Sequence, residues 1–177
     1  RVDSAGVVAE LMELAAQYNK IDVHINSKGG DVFGGMAIYN ALRNSTADIT
    51  IYVDGLAASI AGVIALCGKP LYMNRYARLM LHRVSGYAYG TADDMRRTAE
   101  QAESLENDLA DMIAGRCGMK AEDVKAAYFD GGEHWFTAQE AMDTGMISGI
   151  VDSGGVQEPA ANATTEEIYD YTNRLLE

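Results

Sequence analysis

The sequence is poor in proline, cysteine and long apolar runs, and each shortage excludes a class of protein. Only 2 of the 177 residues are proline, and no biased tract precedes residue 153, which argues against a disordered chain. The two cysteines, Cys67 and Cys117, form no CxxC pair, so neither a disulfide framework nor a zinc site is predicted and a reducing compartment is favoured. No apolar run approaches the ~18 residues of a membrane-spanning helix, which argues against an integral membrane protein.

Basic residues are also scarce. The sequence has 14 Lys and Arg residues and 26 Asp and Glu residues, which gives a net charge of -12 at pH 7. Proteins that bind nucleic acid need a basic face that neutralises phosphates, so nucleic acid is not an expected partner. No export leader is visible, and the acidic composition favours a soluble cytoplasmic protein.

What is present is typical of one globular domain. The sequence is 48% hydrophobic and 23% charged, as expected for a chain that buries a single core. We predict a domain over residues 1–152. The remainder, 153–177, is predicted to be a linker rich in Gly, Ala and Thr followed by a short amphipathic tail.

Strand and helix signals alternate along the first half of the chain. Apolar spacing predicts helices over 7–18, 32–42 and 57–67, separated by strands over 21–25 and 49–53. We interpret Asp54-Gly55 as a turn. Alternation of this kind favours an α/β fold with parallel strands and right-handed crossovers.

The second half is predicted to hold short strands and one long helix. Short strands are expected over 71–73 and 79–81, short helices over 121–127 and 137–143, and a last strand over 146–151. Between them, Thr91 is a candidate N-cap of a helix that runs to about Gly115. That helix is charged except for one apolar stripe, so it packs on one side only or against another subunit.

Three features of the sequence could carry chemistry. Ser59 is predicted to lie one turn into a helix after a buried strand, where small neighbours would let a substrate approach. His82 closes a strand, where parallel sheets form ligand crevices. The loop 26–31 holds the pair Gly29-Gly30 and could aim free N–H groups at an anion or an oxyanion.

Each feature also has a purely structural interpretation. A serine in a tightly packed helix can bond back to a carbonyl, and a lone histidine at a strand end can be a satisfied core residue. The glycine pair can be an ordinary turn, and it lacks the GxxxxGK[ST] spacing of a phosphate loop.

Taken together and in order, the motifs resemble those of the ClpP serine peptidases. They are Ile25–Val32, Gly34–Tyr39, Gly55–Ser59 and Leu79–His82, with Trp135–Ala141 further on. The helix that begins at Thr91 resembles the inter-ring handle of that family. The resemblance implies a ClpP/crotonase-like α/β fold of repeated β-β-α superhelical units with a protruding handle helix. The tryptophan after the acidic residue and the diverged loops look most similar to the ClpP-like head maturation (prohead) proteases of phages and prophages.

The resemblance also implies site residues for a serine endopeptidase. Ser59 falls on the nucleophile of the family and His82 on its general base, and the backbone N–H groups of Gly30 and Ile60 fall on the oxyanion hole. Glu133 stands where the family usually has the aspartate of the triad, and Asp130 is the alternative.

Substrate and assembly are implied as well. The segment Gly30, Asp31, Val32 and Phe33 would offer backbone groups to an extended polypeptide substrate. The implied partner is a homo-oligomeric ring, either a heptamer or stacked rings, with no cofactor. The first strand and the axial loops of the family have no clear counterpart in the sequence, so docking onto an AAA+ unfoldase stays open.

The sequence departs from the family at two loops. Lys28 replaces the proline before the glycine pair, and Arg83-Val84 follows His82 where the family has a proline. These changes affect the geometry of the substrate strand more than the chemistry. His24 and His134 are expected at the surface or in strands, and no spacing predicts a metal site.

Three other functions stay open from the sequence. A crotonase-type acyl-CoA enzyme would share the fold and use paired N–H groups on a thioester oxyanion. A catalytically silent ring or scaffold would fit the replacements at Lys28 and Glu133. The third alternative is a hydrolase that uses a Ser-Lys dyad, with Lys28 or Lys69 as the lysine, although the presence of His82 makes such a dyad unnecessary.

Overall fold

The fold is seen in a computed structural model that describes residues 3–151. The predicted linker and tail, 153–177, lie outside the described residues. Six helices and six strands occur in the described range. The helices are α1 (Ser4–Gln17), α2 (Val32–Asn44), α3 (Ile60–Ala65), α4 (Ala92–Cys117), α5 (Ala121–Tyr128) and α6 (Ala138–Asp143). The strands are β1 (Lys20–Ser27), β2 (Asp48–Ala58), β3 (Leu71–Asn74), β4 (Arg78–Leu81), β5 (His134–Thr137) and β6 (Gly149–Val151).

All six strands join one sheet that is organised around β2. Strand β1 runs parallel to β2, while β3 and β4 pair with successive halves of β2, also in parallel. Strand β6 extends the sheet beside β3, and β5 closes the other edge antiparallel to β4. This mixed, curled sheet with crossover helices confirms the predicted α/β class.

Three boundary predictions, around β2, α3 and β6, are wrong, and one strand was missed. Asp54-Gly55 is not a turn, because β2 continues to Ala58 and its last three residues pair with β4. The next helix therefore starts at Ile60 rather than at residue 57. Strand β5 was not predicted, and the last strand is confined to Gly149–Val151 rather than starting at residue 146.

The core fills the space between the sheet and its helices. Side chains of β2, β3 and β4, among them Ile51, Met73 and Leu79, are fully buried. The small helix α3 is buried on every side, as its lack of charge predicts. Of the helices described, none is long and apolar enough to span a membrane.

Helix α4 is packed along only part of its length. Its second half carries the buried residues Leu109, Ala110, Ile113 and Ala114, while Met95 in the first half is 48% exposed. Thr91 caps the helix through a capping box with Asp94, as expected of the predicted N-cap. Part of the predicted apolar stripe is therefore only half covered by the residues that the structure describes.

Candidate active site

Ser59 and His82 meet at the carboxyl ends of β2 and β4. Ser59 Oγ lies 2.8 Å from His82 Nε2, which is a hydrogen-bond distance. With Nε2 unprotonated, the hydroxyl donates to the imidazole. Both residues are partly buried, so the pair is sheltered and still reachable from solvent. The sequence offered these residues separately, 23 positions apart, and the fold brings them together.

The backbone of Ser59 is strained. Its φ of 57° and ψ of -131° make it the single non-glycine residue with positive φ within residues 3–151. Such a conformation costs about 1–3 kcal/mol and is found where function requires it. The prediction that Ser59 lies one turn inside a helix is wrong, because Ser59 occupies the sharp junction between β2 and α3.

Close packing of two strands and a helix fixes this junction. The Ser59 N–H donates to the Met80 carbonyl at 2.9 Å, two residues before His82. Gly62 makes the approach of α3 possible, since a Cβ atom there would lie 2.9 Å from that same carbonyl oxygen. One backbone hydrogen bond thus ties Ser59 to the strand that ends just before His82.

The glycine loop after β1 packs directly against the serine. A Cβ atom on Gly29 would lie 2.8 Å from Ser59 Cβ and 3.2 Å from the Ile60 nitrogen, and Gly29 has a φ of 86°. A side chain is therefore excluded at Gly29 both by space and by backbone conformation. Neither the Gly30 N–H nor the Ile60 N–H makes a hydrogen bond to any part of the chain that the structure describes. Among the described residues, these two donors, one adjacent to Ser59 in the chain and one adjacent to Gly29, have no partner and are free to bind an oxyanion.

The loop that is predicted to offer backbone groups to an extended substrate leads directly into α2. Helix α2 begins at Val32, so Val32 and Phe33 belong to its first turn, and Asp31 caps the helix by accepting from the Gly34 N–H at 2.6 Å. Only Gly30 and Asp31 keep a non-helical backbone. Phe33 is 68% exposed, and an open groove of about 690 Å³ borders the loop.

The structure does not join His82 to an acid. Glu133 Oε2 accepts a 3.0 Å hydrogen bond from Trp135 Nε1, and Asp130 Oδ1 lies 2.8 Å from His134 Nε2. Within residues 3–151, the Ser59 hydroxyl is the hydrogen-bond partner of the His82 ring.

The two candidate acids differ in what holds them. The Gly132 N–H and the His134 imidazole hold the pKa of the Asp130 carboxyl below its ordinary value. These contacts stabilise the turn before β5, so the role of Asp130 there is structural. For Glu133, the indole of Trp135 is the one hydrogen-bond partner among the described residues.

Comparison with known proteins agrees with this geometry. The profile of the Clp protease family matches residues 2–154. The chain belongs to the Clp protease family. It is 34% identical over 150 residues to an ATP-dependent Clp protease proteolytic subunit 2 of Bifidobacterium longum, which covers 82% of this chain and 71% of that protein. It is 35% identical over 165 residues to a proteolytic subunit 1 of Leifsonia xyli subsp. xyli, with 87% and 82% of the two chains covered.

Membership of the Clp protease family makes the chain a serine-type endopeptidase by class. The family resemblance predicted from the motifs is confirmed at this level. The narrower likeness to phage head maturation proteases stays a prediction.

The remaining candidates lie away from the serine or have other partners. Lys69 Nζ donates to the Ser45 carbonyl at 3.2 Å. His24 Nδ1 lies 2.9 Å from Asp54 Oδ1, in a stack with Tyr52. The described residues contain no group of three or more His, Cys, Asp or Glu side chains arranged to hold a metal ion.

Sequence reasoning missed the residues that hold this Clp protease site in shape. Gly62 and the Met80 carbonyl carry no signal of chemistry in the sequence. Gly35 also holds the site in shape, because a Cβ atom at this position would lie 2.1 Å from Ile60 Cγ1. The glycine pair Gly34-Gly35 inside a helical pattern was the one available signal, since glycine in a helix interior usually has a packing reason.

Proposed function

We propose that this protein is a serine endopeptidase in which Ser59 is the nucleophile and His82 the general base. The observation that carries the proposal is the 2.8 Å contact between Ser59 Oγ and His82 Nε2, made by a serine with strained backbone. A serine kept in such a conformation only for packing would have no need of an imidazole at hydrogen-bond distance.

The reaction follows from the geometry. His82 Nε2 takes the hydroxyl proton as Ser59 Oγ attacks the carbonyl carbon of a peptide bond, and it then gives that proton to the leaving amine. The N–H groups of Gly30 and Ile60 stabilise the tetrahedral oxyanion, each by about 2.7–4 kcal/mol where such donors have been removed from other enzymes. Water then attacks the acyl-enzyme, with His82 acting again as base.

We propose Glu133 as the third member of the triad. In the antiparallel pairing of β4 and β5, Leu81 stands opposite His134. One further step of this register brings His82 opposite Glu133, and opposite residues project from the same face with Cβ atoms about 4.5–5.5 Å apart. A rotation of the Glu133 side chain away from Trp135 would carry its carboxylate toward His82 Nδ1, where it would fix the tautomer.

We also propose that the active form is a homo-oligomeric ring built on α4. The first half of α4 leaves Met95 half exposed, and the preceding loop exposes Tyr87 and Tyr89 almost completely. Apolar side chains on a projecting helix favour association with a second copy of the chain. The size of the ring and any unfoldase partner stay predictions.

A narrower proposal concerns the substrate. The sequence around Trp135 resembles the head maturation proteases of phages, so a capsid or scaffold protein is the proposed polypeptide substrate. The site of action would be the cytoplasm of a bacterial host, as the free cysteines Cys67 and Cys117 also favour. Cleavage of a co-expressed capsid precursor, compared with an unrelated unfolded protein, tests this proposal.

The test of the main proposal compares Ser59→Ala with a matched serine variant, Ser85→Ala, in an exposed loop. We expect Ser59→Ala to assemble normally and to lose cleavage of an unfolded polypeptide, while Ser85→Ala keeps both properties. Retained cleavage by Ser59→Ala would overturn the proposal. Hydrolysis of an acyl-CoA thioester that does not depend on Ser59 would favour the crotonase-type function instead.

A further inference from the structure

Within residues 3–151, one ion pair ties the segment that leaves β4 to the rest of the domain. Arg83, the residue after His82, donates from Nε to Glu106 Oε1 at 2.9 Å and from Nη2 to Glu106 Oε2 at 3.3 Å. A two-bond contact of this kind fixes the orientation of a guanidinium as well as its distance.

Few other contacts hold this segment. Strand β4 ends at Leu81, and regular structure resumes only at α4. From His82 to Gly90, the hydrogen bonds made within the described chain are the His82–Ser59 contact and the Arg83–Glu106 pair. Partial burial of Val84 against the core is the other restraint.

Glu106 is placed where α4 leaves the body of the domain. It is the one buried charged residue among those described, and it lies one turn before Leu109 and Ala110, which anchor the helix. A buried carboxylate without a partner is costly, so Glu106 holds Arg83 firmly. The Arg83 side chain is half exposed, so the pair reaches from the packed interior to the mouth of the site.

We propose that Arg83 and Glu106 are positioning residues, which set the His82 imidazole against Ser59 by fixing the backbone after β4 to helix α4. The proposal rests on the proposed function, because it assigns the pair to the same reaction. It also makes the geometry of the site depend on where α4 lies, since α4 carries the acceptor.

The test measures kcat and KM for a short peptide substrate in the assembled protein. The main variant is Glu106→Gln, which keeps the volume of the side chain and leaves only a half-exposed arginine unpaired. We expect kcat to fall about 10-fold with KM changed less than about 2-fold, because misplacing a catalytic group slows the chemical step without removing substrate contacts. The matched control is Arg96→Gln, which breaks an exposed ion pair with Asp93 inside the same helix and should keep the wild-type kcat.

Two more variants keep the proposal falsifiable if Glu106→Gln fails to fold. Arg83→Lys retains one of the two hydrogen bonds and should give an intermediate kcat. The double variant Arg83→Gln/Glu106→Gln removes both charges of the pair. If the two residues act through one contact, the kcat of the double variant should be no lower than the kcat of whichever single variant is slower.

The outcomes separate the two proposals. Wild-type kcat in both Glu106→Gln and Arg83→Lys overturns the positioning role and leaves the serine peptidase intact. A loss confined to KM, or an equal loss of kcat in Arg96→Gln, overturns it as well. Cleavage that survives Ser59→Ala removes the proposed function itself, and the positioning role with it.

Discussion

Trp135 Nε1 donates a 3.0 Å hydrogen bond to Glu133 Oε2. The register of β4 and β5 ends with Leu81 opposite His134, and in our proposal the next residue, Glu133, is the acid that serves His82. Under that proposal the indole and the imidazole compete for one acceptor. Trp135 is half exposed on β5, the edge strand of the sheet. The proposed triad therefore requires Glu133 to exchange its recorded partner, Trp135, for His82.

Glu133→Gln should lower kcat strongly. We expect a loss of about 10²–10⁴-fold, because an amide cannot stabilise the imidazolium and can favour the wrong tautomer of His82. Steady-state cleavage of a peptide measures it. Asp130→Asn is the matched change, and it should affect stability more than kcat because Asp130 holds the turn through Gly132 and His134. A larger loss of kcat in Asp130→Asn than in Glu133→Gln would instead make Asp130 the acid of the triad.

Trp135→Phe should raise kcat by about 3- to 10-fold. Phenylalanine keeps the apolar ring and removes the donor that holds Glu133, and one hydrogen bond to a charged group is worth about 1.5–3 kcal/mol. The same cleavage assay measures the effect. A lower kcat in this variant would mean that the indole supports the site rather than competes with it.

Gly35→Ala should damage the site from a distance. The added Cβ atom would fall 2.1 Å from Ile60 Cγ1, so α2 and α3 must move apart and the Ile60 N–H must shift. We expect a loss of about 1–3 kcal/mol in the free energy of unfolding, together with a lower kcat. Denaturant unfolding and peptide cleavage measure the two effects.

Gly115→Ala is the control for that change. Gly115 also lies in a helix, but nothing stands within 4 Å of an added Cβ atom. Replacing a helical glycine with alanine should then stabilise the protein, by up to about 1 kcal/mol. Equal destabilisation by the two variants would contradict the packing argument at Gly35.

The capping box of α6 should make stability depend on pH. Hydrogen bonds from the N–H and hydroxyl groups of Thr137 hold the pKa of Glu140 below its usual 4.5. A carboxyl whose pKa is lowered by folding stabilises the folded state above its unfolded pKa, and that stability is lost as the pH falls through the folded pKa.

Glu140→Gln tests this dependence, since glutamine can still serve in a capping box. We expect the free energy of unfolding of the wild type to fall more steeply below about pH 4.5 than that of the variant. Identical pH profiles would contradict the assignment. Thermal unfolding across an acid pH series provides the measurement.

Met95→Glu should disrupt assembly without unfolding the domain. Met95 lies on the first half of α4, where the residues that the structure describes leave it 48% exposed. A charge there would have to be buried at an interface between copies, which is strongly unfavourable. Light scattering should report a smaller particle, while Met142→Glu on α6, a similarly exposed position, should leave the mass unchanged. An unchanged mass in Met95→Glu would argue against a ring built on α4.

The sequence predicted most elements of the fold because their patterns are local. Alternation in β1, helical spacing in α2 and the cap at Thr91 each lie within one segment. The end of β2 was misread because Asp54-Gly55 is a common turn dipeptide and Ala57-Ala58 favours a helix. Pairing of Leu56–Ala58 with β4 overrides both preferences, and it depends on residues more than 20 positions away.

The active site was predicted less completely, because its contacts also join residues that are far apart in the sequence. Ser59 and His82 could be chosen from the resemblance to ClpP peptidases, and the fold brings them together. The contact of Glu133 with Trp135 depends on side-chain rotamers, which no sequence pattern specifies. The Arg83–Glu106 pair joins a loop to a helix across 23 residues, and neither residue forms part of a motif.

Labelling with a serine-directed fluorophosphonate, followed by intact mass and peptide mapping, tests the central claim most directly. An activated Ser59 should take up a single adduct, and the change His82→Ala should abolish it, because no other base within residues 3–151 contacts the hydroxyl. Labelling at another serine, or labelling of Ser59 that persists in His82→Ala, would contradict the account.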